Sequence, residues 1–356
     1  GKGYKKGKAD NFKTMDAEAH GGTFYDGNKK ITFRFPGLTV GAIRYLKYDV
    51  VYSKSDFPFG HSFFTGLVEE GNRLRIEMDS AIHLTYKPYY PELVNLQVKE
   101  SLKRKKRILE FEPDSSFRLK RESFAAPARY YAPHVLAQIS HYYIKDKKVE
   151  VNGTIDLLHR NYRKNIENVL DEKPTEELLT IADSITKDLN TEWEKVQAIY
   201  YWVQDNIKYV AFEKGMGGYI PRQPNSVVVK RFGDCKDMAA LIYSMLKSVD
   251  VPAYMTWIGS RDLPYRYTDF PSSYCDNHMI AAYKRDGKYY FLDATNSLQH
   301  IENATSFIQG KEALVSVGPN EYEVVEVPIA KPEENRMSDT TVIRVKERSI
   351  TGSSKT

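Results

Sequence analysis

Along this 356-residue chain the spacing of apolar residues changes character near residue 170. Upstream, from about Gly22 to Asn161, apolar and polar residues alternate over short runs. Lys30–Phe35, Ala42–Tyr52, Arg73–Met78, Ala81–Tyr86, Val94–Val98, Arg107–Phe111 and Val149–Val151 read as half-buried strands parted by Gly, Pro and Asp. Many short strands at near-regular spacing predict a sandwich or barrel. Downstream the period becomes helical. Pro174-Thr175-Glu176-Glu177 opens a helix carrying Leu178, Ile181, Ala182, Ile185 and Leu189 on one face. Thr191–Glu194 opens a second, with Trp193, Val196, Ile199, Tyr200, Val203 and Ile207 inward. A third follows Asp234, because Met238, Leu241, Ile242, Met245, Leu246 and Val249 fall on one helical face. Ala253–Ile258 reads as a strand. After a long polar-aromatic loop over 259–277 comes a hairpin, His278–Arg285 and Lys288–Thr295, joined by Asp286-Gly287 in a type I′ turn.

These patterns predict an α+β chain. Residues 1–20 read as a ragged tail, 21–165 as a β-sandwich-like domain and 166–321 as a mixed core. Residues 322–356, including Thr341–Val345, read as the start of a C-terminal β-rich segment that the sequence cuts short. Composition narrows the function. The chain is 41% hydrophobic with 26 tyrosines, which is a globular composition. A net charge of +5, from 52 basic and 47 acidic residues, gives no case for nucleic acid. Two cysteines exclude a disulfide-built fold and leave only a Cys235–Cys275 pair open on paper. No run approaches the ~18 apolar residues of a membrane span. The sequence begins with Gly1 and shows no signal peptide, so its silence on export carries little weight. Scattered histidines show no ligand spacing, and neither a metal nor a cofactor is expected. The basic run Lys103–Arg107 reads as a solvated turn between strands rather than an anion site. Tyr86–Pro91 reads as a binding strip or a packed linker.

The chemistry centres on Arg231-Phe232-Gly233-Asp234-Cys235-Lys236-Asp237. Asp234 is a good N-cap, Asp237 completes a box-like acidic pair, and Gly233 is expected to let the chain turn sharply into the helix. Cys235 is then the first helical residue. The positive end of a helix stabilises a thiolate, and its free N–H groups can hold an oxyanion. The plain alternative is a small buried hydrophobe that starts a helix. The hairpin weighs against that alternative. If Arg285 faces Lys288, then Asp293 faces Ile280, and His278 lies on the same sheet face one diagonal step away. An imidazole beside a carboxylate is what a thiol nucleophile needs for proton removal and for orientation of the base. Cys275 sits in a loop with no helix behind it and reads as an incidental thiol. The Gly- and Pro-rich stretch 213–224 lacks the ending of a phosphate loop and is expected to wall a substrate cleft.

Residues 231–237, Asn277–Ala281 and Tyr290–Thr295 resemble, in order and spacing, the three motif blocks of the bacterial transglutaminase-like superfamily. Tyr201–Val210 is similar to that family's helix before the site, and the resemblance covers about residues 175–300. It implies a papain-like core, with helices packed on an antiparallel sheet. Cys235 would be the nucleophile, His278 the base and Asp293 the orienting acid. The upstream β region resembles, less sharply, an uncharacterised domain that precedes this core in many secreted or surface proteins of Gram-negative bacteria, which implies a periplasmic, cell-surface or secreted location. A second oxyanion donor is needed beside the Cys235 N–H, and Gln223, Trp202 and Tyr209 are candidates.

The expected function is therefore cysteine-dependent attack on amide or peptide bonds through a thioester, with a protein or peptide as substrate. Hydrolysis is favoured over transglutaminase-type transfer because nothing marks an amine site. A different class of reading is a catalytically silent binding or assembly module at the cell envelope, whose β-rich domain holds a protein or glycan partner.

Overall fold

The computed structural model describes residues 7–18, 23–47, 57–65, 72–120 and 122–355 and arranges them as an α+β chain, β-rich part first. Strands β1 (Asp10–Asp16) and β3 (Lys29–Arg34) pair antiparallel as an outlying ribbon, with β2 (Thr23–Tyr25) between them in sequence. Next come β4 (Phe59–Ser62), β5 (Phe64–Thr65), β6 (Leu74–Asp79), β7 (Ile82–Tyr89), β8 (Leu96–Lys103), β9 (Lys106–Pro113), β10 (Phe117–Arg118), β11 (His134–Ile144) and β12 (Lys147–Glu150). One sheet runs β6–β9–β8, and a second gathers β4, β7 and β12 around β11. Phe63, Leu109, Phe111 and Val135 are buried with Leu74, Ile76, Met78, Leu84 and Leu96 packed on them, so the two sheets share one apolar filling. The alternation read from the sequence places Leu74, Ile76 and Met78 on the inner face of β6.

Three sequence expectations change here. Residues 42–47 of the expected strand Ala42–Tyr52 are not in a strand, and 48–52 lie outside the described residues. Ile43, Tyr45 and Leu46 are exposed, and alternation without a partner does not make a strand. Conversely β11 escapes the alternation rule because residues 134–138 are buried on both faces. Its far side meets the core, where Gln138 Nε2 donates to the Pro271 carbonyl at 2.9 Å. Tyr86–Tyr89 is the end of β7 paired to β11, which makes the aromatic stretch a packed one. The basic run is a two-residue turn: β8 ends at Lys103, β9 starts at Lys106, and Lys106 and Arg107 pair with Glu77 and Glu100.

The third change is at residues 155–161, read as β from sequence. They begin helix α1 (Ile155–Leu170), capped by Thr154, whose hydroxyl accepts the Leu157 N–H at 3.2 Å. Leu158, Tyr162, Ile166 and Val169 form its buried stripe against the core. The helices α2 (Glu176–Thr186) and α3 (Glu192–Asn206) start at Thr175 and Thr191 as predicted. Short strands β13 (Lys208–Tyr209) and β14 (Ala211–Phe212), helix α4 (Pro224–Lys230) and strand β15 (Phe232–Gly233) lead to α5 (Cys235–Ser248). Strands β16 (Tyr254–Ile258), β17 (His278–Arg285), β18 (Lys288–Leu292), β19 (Glu312–Ser316) and β20 (Tyr322–Glu326) form an antiparallel sheet in the order β18–β17–β16–β19–β20.

Helix α5 lies between this sheet and α2, α3 and α4. Leu241, Ile242, Met245 and Leu246 are fully buried against Leu178, Val196, Tyr200 and Val203. The opposite sheet face buries Ile258, Ile280, Phe291, Ala313 and Val315. The expected boundary at 322 falls inside the β19–β20 hairpin, whose turn is Gly318-Pro319-Asn320. The C-terminal ribbon, β21 (Thr340–Lys346) paired with β22 (Ser349–Lys355), is exposed throughout. No helix among the described residues is long and apolar enough to cross a membrane.

Candidate active site

The approach to α5 is built by close packing rather than by a flexible glycine. Helix α4 ends at Arg231 in the left-handed conformation (φ 57°), and its guanidinium lies 4.7 Å from the centre of the Trp202 ring. Phe232 and Gly233 then pair in parallel with Lys208 and Tyr209. The sequence expectation that Gly233 makes the turn is corrected: Arg231 does. Glycine is required at 233 because a Cβ there would stand 2.6 Å from the Asp237 Cβ. Asp237, fully buried, organises the entry. Its carboxylate accepts the Asp234 N–H at 3.0 Å, as the box-like spacing predicts, and the Arg222 N–H at 2.7 Å, while the Arg222 Nε lies 3.3 Å away. Asp234 holds the buried Lys236 ammonium at 2.5 Å. Burial, reinforced by Asp237 and opposed by Lys236, pushes the Asp234 carboxyl up to about 6.

Cys235 is the first residue of α5, a free and partly exposed thiol that opens onto a cleft of about 500 Å³. His278, the first residue of β17, lines the same cleft. The hairpin register is the expected one: pairs run from Arg285↔Lys288 to Ala281↔Leu292, and both turn residues have positive φ (Asp286 51°, Gly287 78°). Asp293 follows the last paired residue, and its Oδ2 lies 3.0 Å from His278 Nε2. Nδ1 is thereby left for the thiol, whose hydrogen bond to the ring is one of the forces on the imidazole. Burial pushes His278 down, but Asp293 and then Cys235 outweigh it and hold the ring up to about 10. Burial would likewise raise Asp293. His278, Thr295 and Thr305 overcome that and keep the carboxyl below its usual range.

The two hydroxyls on Asp293 were not legible as site residues. Thr305 Oγ1 donates to Oδ2 at 2.8 Å and Thr295 Oγ1 to Oδ1 at 2.7 Å. Together with the Phe307 ring, 5.0 Å from that of His278, they lock the pair in place. The three oxyanion candidates separate. Tyr209 is in the electrostatic field of Cys235 and Asp234, its hydroxyl raised first by burial and then by those groups. Trp202 is engaged by Arg231, and Gln223 is an exposed residue at the start of α4. None of the three is among the residues that line the cleft.

The wall itself comes from distant parts of the chain. Glu213, Gly215, Gly218 and Tyr219 belong to the stretch expected to form it. Tyr162 comes from α1 and Trp257 from β16. Asp26 and Asn28 come from the N-terminal region, because β2 pairs in parallel with β14 and the Glu213 N–H donates to the Tyr25 carbonyl at 2.8 Å. Phe24 and Tyr25 each place a ring 5.5 Å from Phe212 to hold that pairing. The α1 stripe at 158, 162, 166 and 169 was a usable signal for Tyr162. The short β2–β14 pairing had none. Cys275 is buried, donates its S–H to the Phe270 carbonyl at 3.3 Å, and is pushed far up by burial. Among the described residues no group of three or more His, Cys, Asp or Glu is placed to hold a metal ion.

Residues 179–294 match the family model of the transglutaminase-like superfamily, a stretch that contains Cys235, His278 and Asp293. The crystal structure of a candidate protease from Parabacteroides distasonis ATCC 8503 is similar over 76% of this chain, with a TM-score of 0.53 and 16% identity. This chain spans 48% of that protein, about half its length, and the likeness establishes a shared fold. A candidate cysteine protease from Cytophaga hutchinsonii aligns over 67% of this chain and 71% of its own, at 14% identity and a TM-score of 0.28, too low to support a structural argument. No curated protein matches the sequence.

Proposed function

We propose, taking residues 179–294 as a transglutaminase-like core, that this protein is a cysteine-dependent enzyme that hydrolyses amide or peptide bonds. The observation that carries the proposal is the His278–Asp293 bond at 3.0 Å, on the same cleft as a partly exposed cysteine at a helix N-terminus. In the first step His278 Nδ1 takes the Cys235 proton, and the sulfur forms a bond to the substrate carbonyl carbon. The carbonyl π electrons move to oxygen. Free N–H groups in the first turn of α5 face the resulting oxyanion. Collapse breaks the C–N bond, and the leaving amine takes the proton from His278. Water then gives a proton to His278 and attacks the thioester. The acid leaves and the thiol is restored. Asp293 stays ionised and keeps the Nε2–H directed at itself, so that Nδ1 is the nitrogen that takes the thiol proton and passes it on.

Hydrolysis is preferred over transfer because Cys235 is partly exposed on a cleft of about 500 Å³ whose wall includes Asn28, Asn165 and Ser273, which admits water, and transfer needs water kept out. The test is alkylation by iodoacetamide across pH, followed by mass spectrometry of the Cys235 peptide, beside amine release from peptide amides. Cys235 should react faster than a free thiol at about pH 6–7, and His278→Ala should remove the advantage. Turnover should fall on the order of 10⁴-fold in Cys235→Ala. Equal and ordinary alkylation in wild type and His278→Ala would sink the proposal.

A further inference from the structure

Asp276 lies two residues before the candidate base and lines the same cleft. Tyr162 and Tyr267 both donate to its Oδ2, at 2.6 and 2.8 Å. Among the described residues Oδ1 accepts no hydrogen bond, no cation pairs with the carboxylate, and Oδ1 is not sealed from the cleft. The lysine on that wall, Lys236, has a side chain only 4% exposed, and its ammonium is held by Asp234. The Tyr162 and Trp257 rings, 4.9 Å apart, add aromatic faces to the wall. The Asp276 end of the chamber thus presents a carboxylate and π surface, both of which attract a cation.

We propose that Asp276 is a specificity-determining residue: its carboxylate receives a protonated amine of the substrate, a basic side chain or the free amino end of a peptide, and so sets the scissile carbonyl against Cys235. The substrate class follows from the proposed hydrolase activity and rests on it. Burial pushes the Asp276 carboxyl up to about 7 against the pull of the two tyrosine hydroxyls. A desolvated carboxylate without a countercharge is costly, and an arriving ammonium supplies that countercharge where it gains most. A protonated amine has no lone pair, so a group held there is recognised rather than acylated.

The experiment uses full-length Cys235→Ala protein, titrated calorimetrically with Ala-Ala-Lys-Ala-Ala and its norleucine counterpart, each with a free or acetylated amino end. At least one amine should improve binding by about 10-fold or more over the acetylated norleucine peptide. The lysine and amino-end arms tell which source is read. Asp276→Asn in the same background should abolish the preference, and Asp276→Glu should retain part of it. Equal affinities, no binding of any peptide, or a preference that survives Asp276→Asn overturns the assignment. Wild-type turnover of the same peptides is read separately. Selective binding without turnover removes the hydrolase reading alone, and turnover without selectivity removes this one alone.

Discussion

In the β-sandwich, Lys106 pairs with Glu77, Lys99 with Glu112, and Arg75 bridges Glu77 and Glu110, all on the outer face of the β6–β9–β8 sheet. Among the described residues its buried polar side chains, those of His134, Gln138 and Asn152, are not carboxylates or ammonium groups. In the core, Asp234, Lys236, Asp237, Asp293, Lys311 and Glu312 are all buried. Each of these charges holds something near the cleft. Asp237 fixes the entry to α5, and Asp293 fixes His278. Glu312 takes Arg266 and Thr268, and Lys311 donates to the Leu263 and Tyr265 carbonyls, so two neighbouring residues tether the 259–277 loop. Desolvating a charge costs several kcal/mol, which an apolar core avoids. The contrast teaches where this molecule gives up stability to fix geometry.

The sharpest way to break that contrast is Asp237→Ala. It leaves the Asp234 and Arg222 N–H groups and the Arg222 guanidinium without their acceptor, and should cost about 3–5 kcal/mol in chemical unfolding. A loss under about 1 kcal/mol, the range of a surface pair, would erase the distinction between the regions.

A middle-sized effect is expected with pH. Unfolded aspartate loses its proton near the ordinary value of 3.8, whereas burial holds Asp276 up to about 7. The folded state therefore holds the Asp276 proton more tightly between about pH 4 and 7, and the stability that this group contributes falls as pH rises through that window, against the opposite contribution of His159, which burial holds down to about 4. Asp234, raised to about 6, acts in the same direction as Asp276. His278, held up to about 10, contributes stability that is complete below about 6.5 and lost as pH climbs to 10. Asp276→Asn removes only its own share. Its Tm should match wild type most closely near pH 4 and exceed it at pH 8, and a difference independent of pH would refute the burial argument. The smallest effect belongs to the sandwich surface. Glu77→Ala loses contacts to Lys106 and Arg75, yet should leave thermal melting unchanged within the scatter of repeat scans.

What could be read from the sequence was local. The α5 stripe, the Asp234–Asp237 spacing and the Asp-Gly hairpin are each set within a dozen or so residues, and together they carried Cys235, His278 and Asp293 into a common frame. The features missed depend on partners far along the chain or on burial from both sides. β11 lacks alternation because the core covers its outer face. Thr305 looks like any loop hydroxyl until it meets Asp293. Asp276 gains its character from Tyr162, more than a hundred residues earlier. Gly233 was singled out for the wrong reason, since a sequence shows a missing side chain but not the Asp237 carbon that forbids one.

The docking of β2 on β14 bears on how this chain can be trimmed. A fragment cut at residues 179 and 294 would keep sulfur, imidazole and carboxyl, but it would lack Asp26, Asn28 and Tyr162 from the chamber wall and Thr305 from behind the acid. It would also forfeit β19, uncovering the β16 edge beside Trp257 as a sticky seam. The smallest piece worth expressing is therefore set by the enclosure around the reactive groups, and that enclosure reaches back more than two hundred residues before the cysteine.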